Sequence, residues 1–381
     1  MEWKEVTLGE IATFKTGKLN SNAAIKNGRY PFFTCSPETL KINNFAFDQE
    51  AILLAGNNAE GNFCIKFYKG KFNAYQRTYV ISPSSENADI KYLYYALCLC
   101  LKQLKIMSQG TSTKFLTVTV LNSFSIKLPA FADQHRIASL LSSLDRKIEL
   151  NNKINARLEE MAQAIFKNWF VDFEPFKDGK FKESELGMIP DGWKVGTLTD
   201  IASYMNGLAM QKFPPNENEK SLPVLKIKEL GQGFCGTDSD RCSFNIKEEC
   251  IIHNGDVIFS WSGTLLVDIW CGGVCGLNQH LFKVTSKDYP KWFYYYWTKY
   301  HLREFIHIAK DKAVTMGHIK RGHLEEALVA IPDNENMEKA NALFEPVLNK
   351  IISLRLESSR LASLRDTLLP RLMSGEIEVP E

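Results

Sequence analysis

The chain has 381 residues, 45% of them hydrophobic and 24% charged, with 46 basic side chains against 44 acidic ones. That length suits two domains each able to bury a core, and the composition excludes a disordered, collagenous or disulfide-framework chain. No apolar run reaches about 18 residues, so no membrane span is expected, and a formal net charge of +2 taken alone argues mildly against a nucleic-acid binder.

In chain order, the opening MEWKEVTLGE carries no basic-then-apolar leader. Nine scattered cysteines fit reduced thiols, so a cytoplasmic setting is expected. Short β-branched and aromatic runs at 51–54, 63–68 and 78–82 predict strands, and 89–105 predicts a helix with an aliphatic-aromatic face. The stretch 133–170 then carries a seam of Ile137, Leu141, Leu144, Ile148, Asn151, Asn155, Leu158, Ala162 and Ile165, spaced by fours and threes. Such a seam predicts a long helix of about 57 Å facing a partner helix, with Asp133 at its N-cap. A turn-rich linker follows at 174–192.

The pattern then returns. Trp3-Lys4 with Thr7-Leu8 and Ile11-Ala12 reappears as Trp193-Lys194 with Thr197-Leu198 and Ile201-Ala202. Lys91 to Tyr95 matches Lys291 to Tyr295, and Leu121 to Pro129 matches Leu324 to Pro332. Strands are predicted again at 256–261 and 281–284, and a helix at 291–308. A second seam runs through Ala340, Phe344, Val347, Ile351, Leu354, Ser358, Leu361 and Leu368, with Asp333 as its cap. The matches keep their order at offsets of 190 to 203 residues, so the chain is a tandem duplication of an α+β domain followed by a long helix. If the second helix returns beside the first, the pair is antiparallel and the copies are related by a pseudo-two-fold axis.

Summing charge by segment changes its meaning. Residues 1–130 carry +6, while 333–381 carry −3. Lys66, Lys69, Lys71 and Arg77 fall in an acid-free run at 61–85, and Lys91, Lys102, Lys105, Lys114 and Lys127 in another at 90–132. The counterpart, 291–321, carries +5. Recurrence in a diverged repeat points to a shared anionic ligand, and the interleaved side chains suit nucleic acid. Gln109, Thr111, Ser112, Thr113 and Lys114 form a small hydroxyl-rich loop for phosphate, with Lys312, Thr315, His318, Lys320 and Arg321 as its counterpart. Asn57, Asn58, Tyr75, Gln76 and Arg77 in the first copy, and Trp261, Ser262, Asn278, Gln279 and His280 in the second, are candidates for base edges.

No catalytic engine is legible. The chain lacks a G-x-x-x-x-G-K phosphate loop, an N-P-P-Y or D-P-P-Y tetrapeptide, G-x-S-x-G and H-E-x-x-H. Cys271 and Cys275 lack the paired spacing of a zinc site, so no metal ligands are assigned.

These features resemble the specificity subunit of a type I restriction–modification system. The resemblance covers nearly the whole chain. It rests on the W-K-x-x-x-L-x-x-I-A openings at Trp3 and Trp193, on I-P-D-G-W-K from Ile189 to Lys194, and on D-Q-H-R-I-A-x-L-L from Asp133 to Leu141. The run L-x-x-L-R-D-x-L-L-P-x-L-M-S-G-E-I from Leu361 to Ile377 completes it. It implies target-recognition domains at 1–132 and 191–332, spacer helices at 133–173 and 333–373 in an antiparallel coiled coil, a linker at 174–190 and a tail at 374–381. It further implies double-stranded DNA as ligand, two methyltransferase subunits as partners and restriction subunits joining through the complex. S-adenosylmethionine, ATP and Mg are then expected on those partners, with no cofactor or catalytic residue here. A self-contained DNA methyltransferase or nuclease, and a coiled-coil scaffold with no DNA role, are the other classes open to the sequence.

Overall fold

The computed structural model describes residues 3–217, 219–311 and 317–380. It divides into two compact units, Met1–Lys147 with Leu361–Glu381, and Ile148–Arg360. Its longer helices are α1 (Ile90–Met107), α2 (Phe131–Phe170), α3 (Lys291–Asp311) and α4 (Asn334–Ser374).

In the first unit six strands form one sheet in the order Ala12–Thr16, Thr78–Pro83, Phe47–Ala55, Ile65–Ala74, Tyr30–Phe33, Leu40–Ile42. Neighbours are antiparallel except Tyr30–Phe33 beside Ile65–Ala74, which is parallel. Asp89 caps α1 by accepting from the backbone N–H groups of Lys91 and Tyr92, as its short carboxylate is suited to do. Ile52 and Leu54 of the sheet share a core with Tyr92, Leu93 and Leu97 of α1, and with Ile137 and Leu141 of α2 and Leu369 and Leu372 of α4. Each such side chain contributes about 1.5–3 kcal/mol by leaving water.

The second unit keeps the strand order but breaks the sheet. Ser203–Asn206, Leu281–Thr285, Val257–Ser260 and Leu266–Ile269 form one four-stranded sheet. Arg241–Ser243, Ser221–Leu225, Cys275–Leu277 and Ile251–Ile252 form another. Two long strands of the first copy are thus each interrupted in the second. The breaks fall at 253–256, where Gly255 takes a φ of +92°, and at 270–274, where Trp270 Nε1 donates to Gly273 O at 2.6 Å. The core here is aromatic: Trp292 stacks on Phe344 with ring centres 4.5 Å apart, and Phe166 and Phe170 of α2 pack among Trp193, Phe293 and Trp297.

The duplication read from the sequence is present in the backbone. Trp3–Thr7 pairs with Ser125–Pro129 as Lys194–Thr197 pairs with Leu328–Ile331. Each opening strand ends in a capping box, Thr7 with Glu10 and Thr197 with Asp200. Leu8 N then donates to Phe124 O at 2.8 Å, and Leu198 N to Ala327 O at 3.0 Å.

Three expectations are corrected. Asp133 is not the cap of α2: its N–H and that of Gln134 both donate to Ala130 O, so the helix starts earlier and Asp133 pairs with Arg136 inside the first turn. Asp333 does cap α4, accepting from Asn336 N at 2.9 Å. The segment 174–192 is more ordered than a linker, since Phe181–Ser184 and Gly187–Pro190 form a hairpin and Ile189 enters the aromatic core. Along the helical seam, Phe166, Leu348 and Leu369 are buried more deeply than their neighbours Ile165, Val347 and Leu368. An α-helix turns every 3.6 residues, so the buried stripe drifts off a strict 3.5 repeat.

Within each unit α2 and α4 run antiparallel. In the first, Leu144 and Leu361 are half-buried and Arg365 Nη1 donates to Asp145 Oδ1 at 2.7 Å. In the second, Ile148 and Leu158 flank the buried Asn151 and Asn155, Asn151 Nδ2 donates to Glu357 Oε2 at 2.9 Å, and Phe166 meets Phe344.

Candidate nucleic-acid interface

The candidate side chains of the first copy gather at one end of its sheet. Asn57–Asn58, which follows the strand Phe47–Ala55, pairs antiparallel with Lys114–Phe115, placing Asn58 opposite Lys114. The loop that delivers Lys114 closes on itself, with Gln109 N donating to Phe115 O at 3.0 Å and Phe115 N to Gln109 O at 2.9 Å. Gly110 sits at φ +99°, where a Cβ would fall 2.1 Å from Thr113 O. Only glycine fits so tight a turn, and Thr111, Ser112 and Thr113 are left exposed on its rim. The turn Tyr75-Gln76-Arg77 lies alongside, because Gly56 N donates to Arg77 O at 2.8 Å.

The second copy repeats the strand-and-turn part of this frame. Tyr75 N donates to Phe33 O at 2.9 Å as Asn278 N does to Leu225 O at 3.1 Å. Thr78 N donates to Tyr75 O at 2.9 Å as Leu281 N does to Asn278 O at 3.0 Å. Leu116 N donates to Gly56 O at 2.8 Å as Ile319 N does to Trp261 O at 3.0 Å. Asn57 bridges Phe115 as Ser262 bridges His318. Hence Gln76 corresponds to Gln279, Arg77 to His280, Gly56 to Trp261 and Phe115 to His318. The contact between strand and turn loosens where Trp261 replaces glycine: Trp261 N lies 3.4 Å from His280 O, against 2.8 Å in the first copy. A glycine allows the closer approach, since a Cβ at position 56 would lie 2.5 Å from Arg77 O.

The candidates divide by exposure. Gln76, Arg77, Gln109, His318, Lys320 and Arg321 are exposed, and Asn57, Asn58, Tyr75, Lys114, Gln279 and His280 are half-buried. Ser262 and Asn278 are buried and act on their neighbours: Ser262 Oγ lies 3.1 Å from His280 Nδ1, and Asn278 Oδ1 accepts from His280 N at 3.2 Å. Asn58 Oδ1 shapes its own loop by accepting from Glu60 N and Asn62 N. Trp261 packs its ring against His280, Phe282 and His318. Lys312 and Thr315 lie outside the described residues.

The charge runs are partly neutralised in space. Lys69 pairs with Glu50 at 2.6 Å across the sheet, and Lys71 stands 4.0 Å from Asp48. Lys66 donates to Ser36 O and Thr39 Oγ1, and burial holds its ammonium below the ordinary lysine range. Lys299 is bound to Glu159 and Tyr295 beside the helices. An acid-free run in sequence is therefore not acid-free in space, because acids arrive on adjacent strands and helices. Lys105, which donates to Asn62 Oδ1 at 2.8 Å, and Lys114 remain beside the loop, both packing on Gly61.

Several neighbours were not legible in the sequence. Asn20 Oδ1 accepts from Gln76 Nε2 at 2.6 Å. In the second copy an open cavity of about 610 Å³ borders Asn278, Gln279 and His280, lined also by Gln211, Lys226, Lys228 and Arg241. Lys226 and Lys228 are held there by Asp240 and Asp238. These residues come from segments far apart along the chain, with no shared motif. Among the described residues no group of three or more His, Cys, Asp or Glu side chains could hold a metal ion. None of their helices is long and apolar enough to cross a membrane.

The arrangement defines a duplicated domain: one backbone frame at a sheet end, presented twice with different side chains. Residues 1–160 and 190–358 match the family model described as the type I restriction modification DNA specificity domain. The chain belongs to that family, and its part in a type I system is DNA specificity. It is 32% identical over 305 residues to the MjaIX specificity subunit of Methanocaldococcus jannaschii, covering 76% of this chain and 70% of that one. It is 36% identical over 232 residues to the EcoDI specificity subunit of Escherichia coli, a match spanning 54% of this chain and half of that relative's length. In fold it is similar to the crystal structure of an S subunit from M. genitalium, with a TM-score of 0.61 at 16% identity, covering 100% of this chain and 96% of that one.

Proposed function

We propose that this chain is a non-catalytic subunit that reads a two-part, asymmetric double-stranded DNA site and docks two methyltransferase subunits, with restriction subunits joining through the complex. S-adenosylmethionine, ATP and Mg are carried by those partners in this reading. The observation that carries it is the recurrence of one hydrogen-bonded frame with Arg77 in one copy and His280 in the other. Identical readers would take two like half-sites, whereas diverged readers on the same frame take two different ones. Lys105, Lys114, Lys320 and Arg321 beside the two frames supply sequence-independent grip on phosphate. A formal net charge of only +2 fits modest affinity for the chain alone and a share of the grip from partner subunits.

Titration of the purified full chain with duplex DNA at two salt concentrations tests this reading. Salt-dependent binding is expected, and salt-independent or absent binding would favour a scaffold. Methyl transfer or cleavage by the chain alone, given S-adenosylmethionine or a divalent metal, would make it an enzyme.

A further inference from the structure

We infer that Gln76 and Gln279 are one reading position used twice, each for an adenine, and that the residue beside it decides where the two half-sites differ. This rests on the proposed DNA reading and names the bases that one part of it recognises.

The backbone equivalence places the two glutamines at the same point of the same turn. The amide nitrogen of each lies against a different neighbour. Gln76 Nε2 donates to Asn20 Oδ1 at 2.6 Å, and Gln279 Nε2 lies 3.3 Å from His280 Nε2. An amide nitrogen carries two N–H groups, so anchoring one fixes the amide while the other and the carbonyl oxygen stay available. One donor and one acceptor side by side form the complement of adenine, whose major-groove edge offers N7 as acceptor and N6 as donor.

The next residue differs in kind. Arg77 is exposed and carries the forked donors that pair with guanine O6 and N7. His280 occupies the same place with both ring nitrogens near protein atoms, Nδ1 at 3.1 Å from Ser262 Oγ and Nε2 at 3.3 Å from Gln279. It presents no fork. The first half-site should therefore hold an adenine with a guanine beside it, and the second an adenine without that guanine.

The test is selection from randomised duplexes by the full chain together with the subunits that co-purify with it. Wild type should select a two-part site with an adenine in each part. Q76E should turn one adenine to cytosine and Q279E the other, since a carboxylate accepts from cytosine N4. H280R should add a guanine preference of about tenfold in the second part, and R77H should remove one in the first. In every variant the untouched part serves as the folding control. A two-part site whose bases do not respond to these four substitutions overturns the inference and leaves the DNA role standing. Selection of no sequence overturns both.

Discussion

Arg365 on α4 donates to Asp145 on α2 at 2.7 Å, and the same carboxylate accepts from Tyr95 OH of α1. One acid thus ties three helices of the first unit. Asp145→Ala leaves a partly buried guanidinium and a phenol without this partner. The pair is about one-third exposed, so solvent moderates the loss to about 1–2 kcal/mol. Urea denaturation of the full chain measures it. Asp145→Asn should lose less, because its amide oxygen can still accept.

His301 supplies a pH dependence. Its Nε2 lies 2.9 Å from Leu328 O, and burial lowers its pKa from 6.5, more than Glu304 nearby raises it. A folded pKa below the unfolded one stabilises the fold above the unfolded value, and that contribution is lost as pH falls through the folded value. Melting temperature should therefore fall between pH 7.5 and 5.5 more for wild type than for His301→Gln. Equal falls would place the acid sensitivity elsewhere.

Lysines of the charge runs should behave differently from one another. Lys114→Ala and Lys320→Ala are expected to weaken binding on all DNA sequences and to flatten the logarithmic salt slope by about 0.9 for each phosphate no longer neutralised. Lys66→Ala should leave both unchanged, since Lys66 is committed to Ser36 and Thr39. Affinity measured across a salt series separates the cases.

The contrast between Lys114 and Lys66 shows what the sequence could and could not convey. Repeat, strand runs and helical stripe are local or periodic signals, so the duplicated α+β architecture and the antiparallel seam were legible. Gln76-Arg77 and Asn278-Gln279 were legible as polar residues in turns between strands. That Asp48 and Glu50 neutralise Lys71 and Lys69 was not, because cross-strand pairing joins residues about 20 apart by register alone. Nor was the inward burial of Ser262 and Asn278, which depends on the strand beneath. Asn20 meets Gln76 and Arg241 lines the cavity beside Asn278 from other segments, and only the folded chain brings them there. Asp133 is a good N-cap in isolation, yet the backbone starts α2 at Phe131, with Ala130 O accepting the first bonds.

Adding one heptad to both α2 and α4 tests the helices as a spacer. Seven residues lengthen a helix by about 10 Å, or about three base pairs at 3.4 Å each. The preferred gap between half-sites should grow by that amount while the half-site sequences stay the same. An unchanged gap would reject the spacer role.

The most direct measurement is the base-resolution methylome of the host with and without this chain. One asymmetric two-part motif should lose its methylation when the chain is removed, and regain it when the chain is restored. A methylome unchanged by the removal would contradict the account.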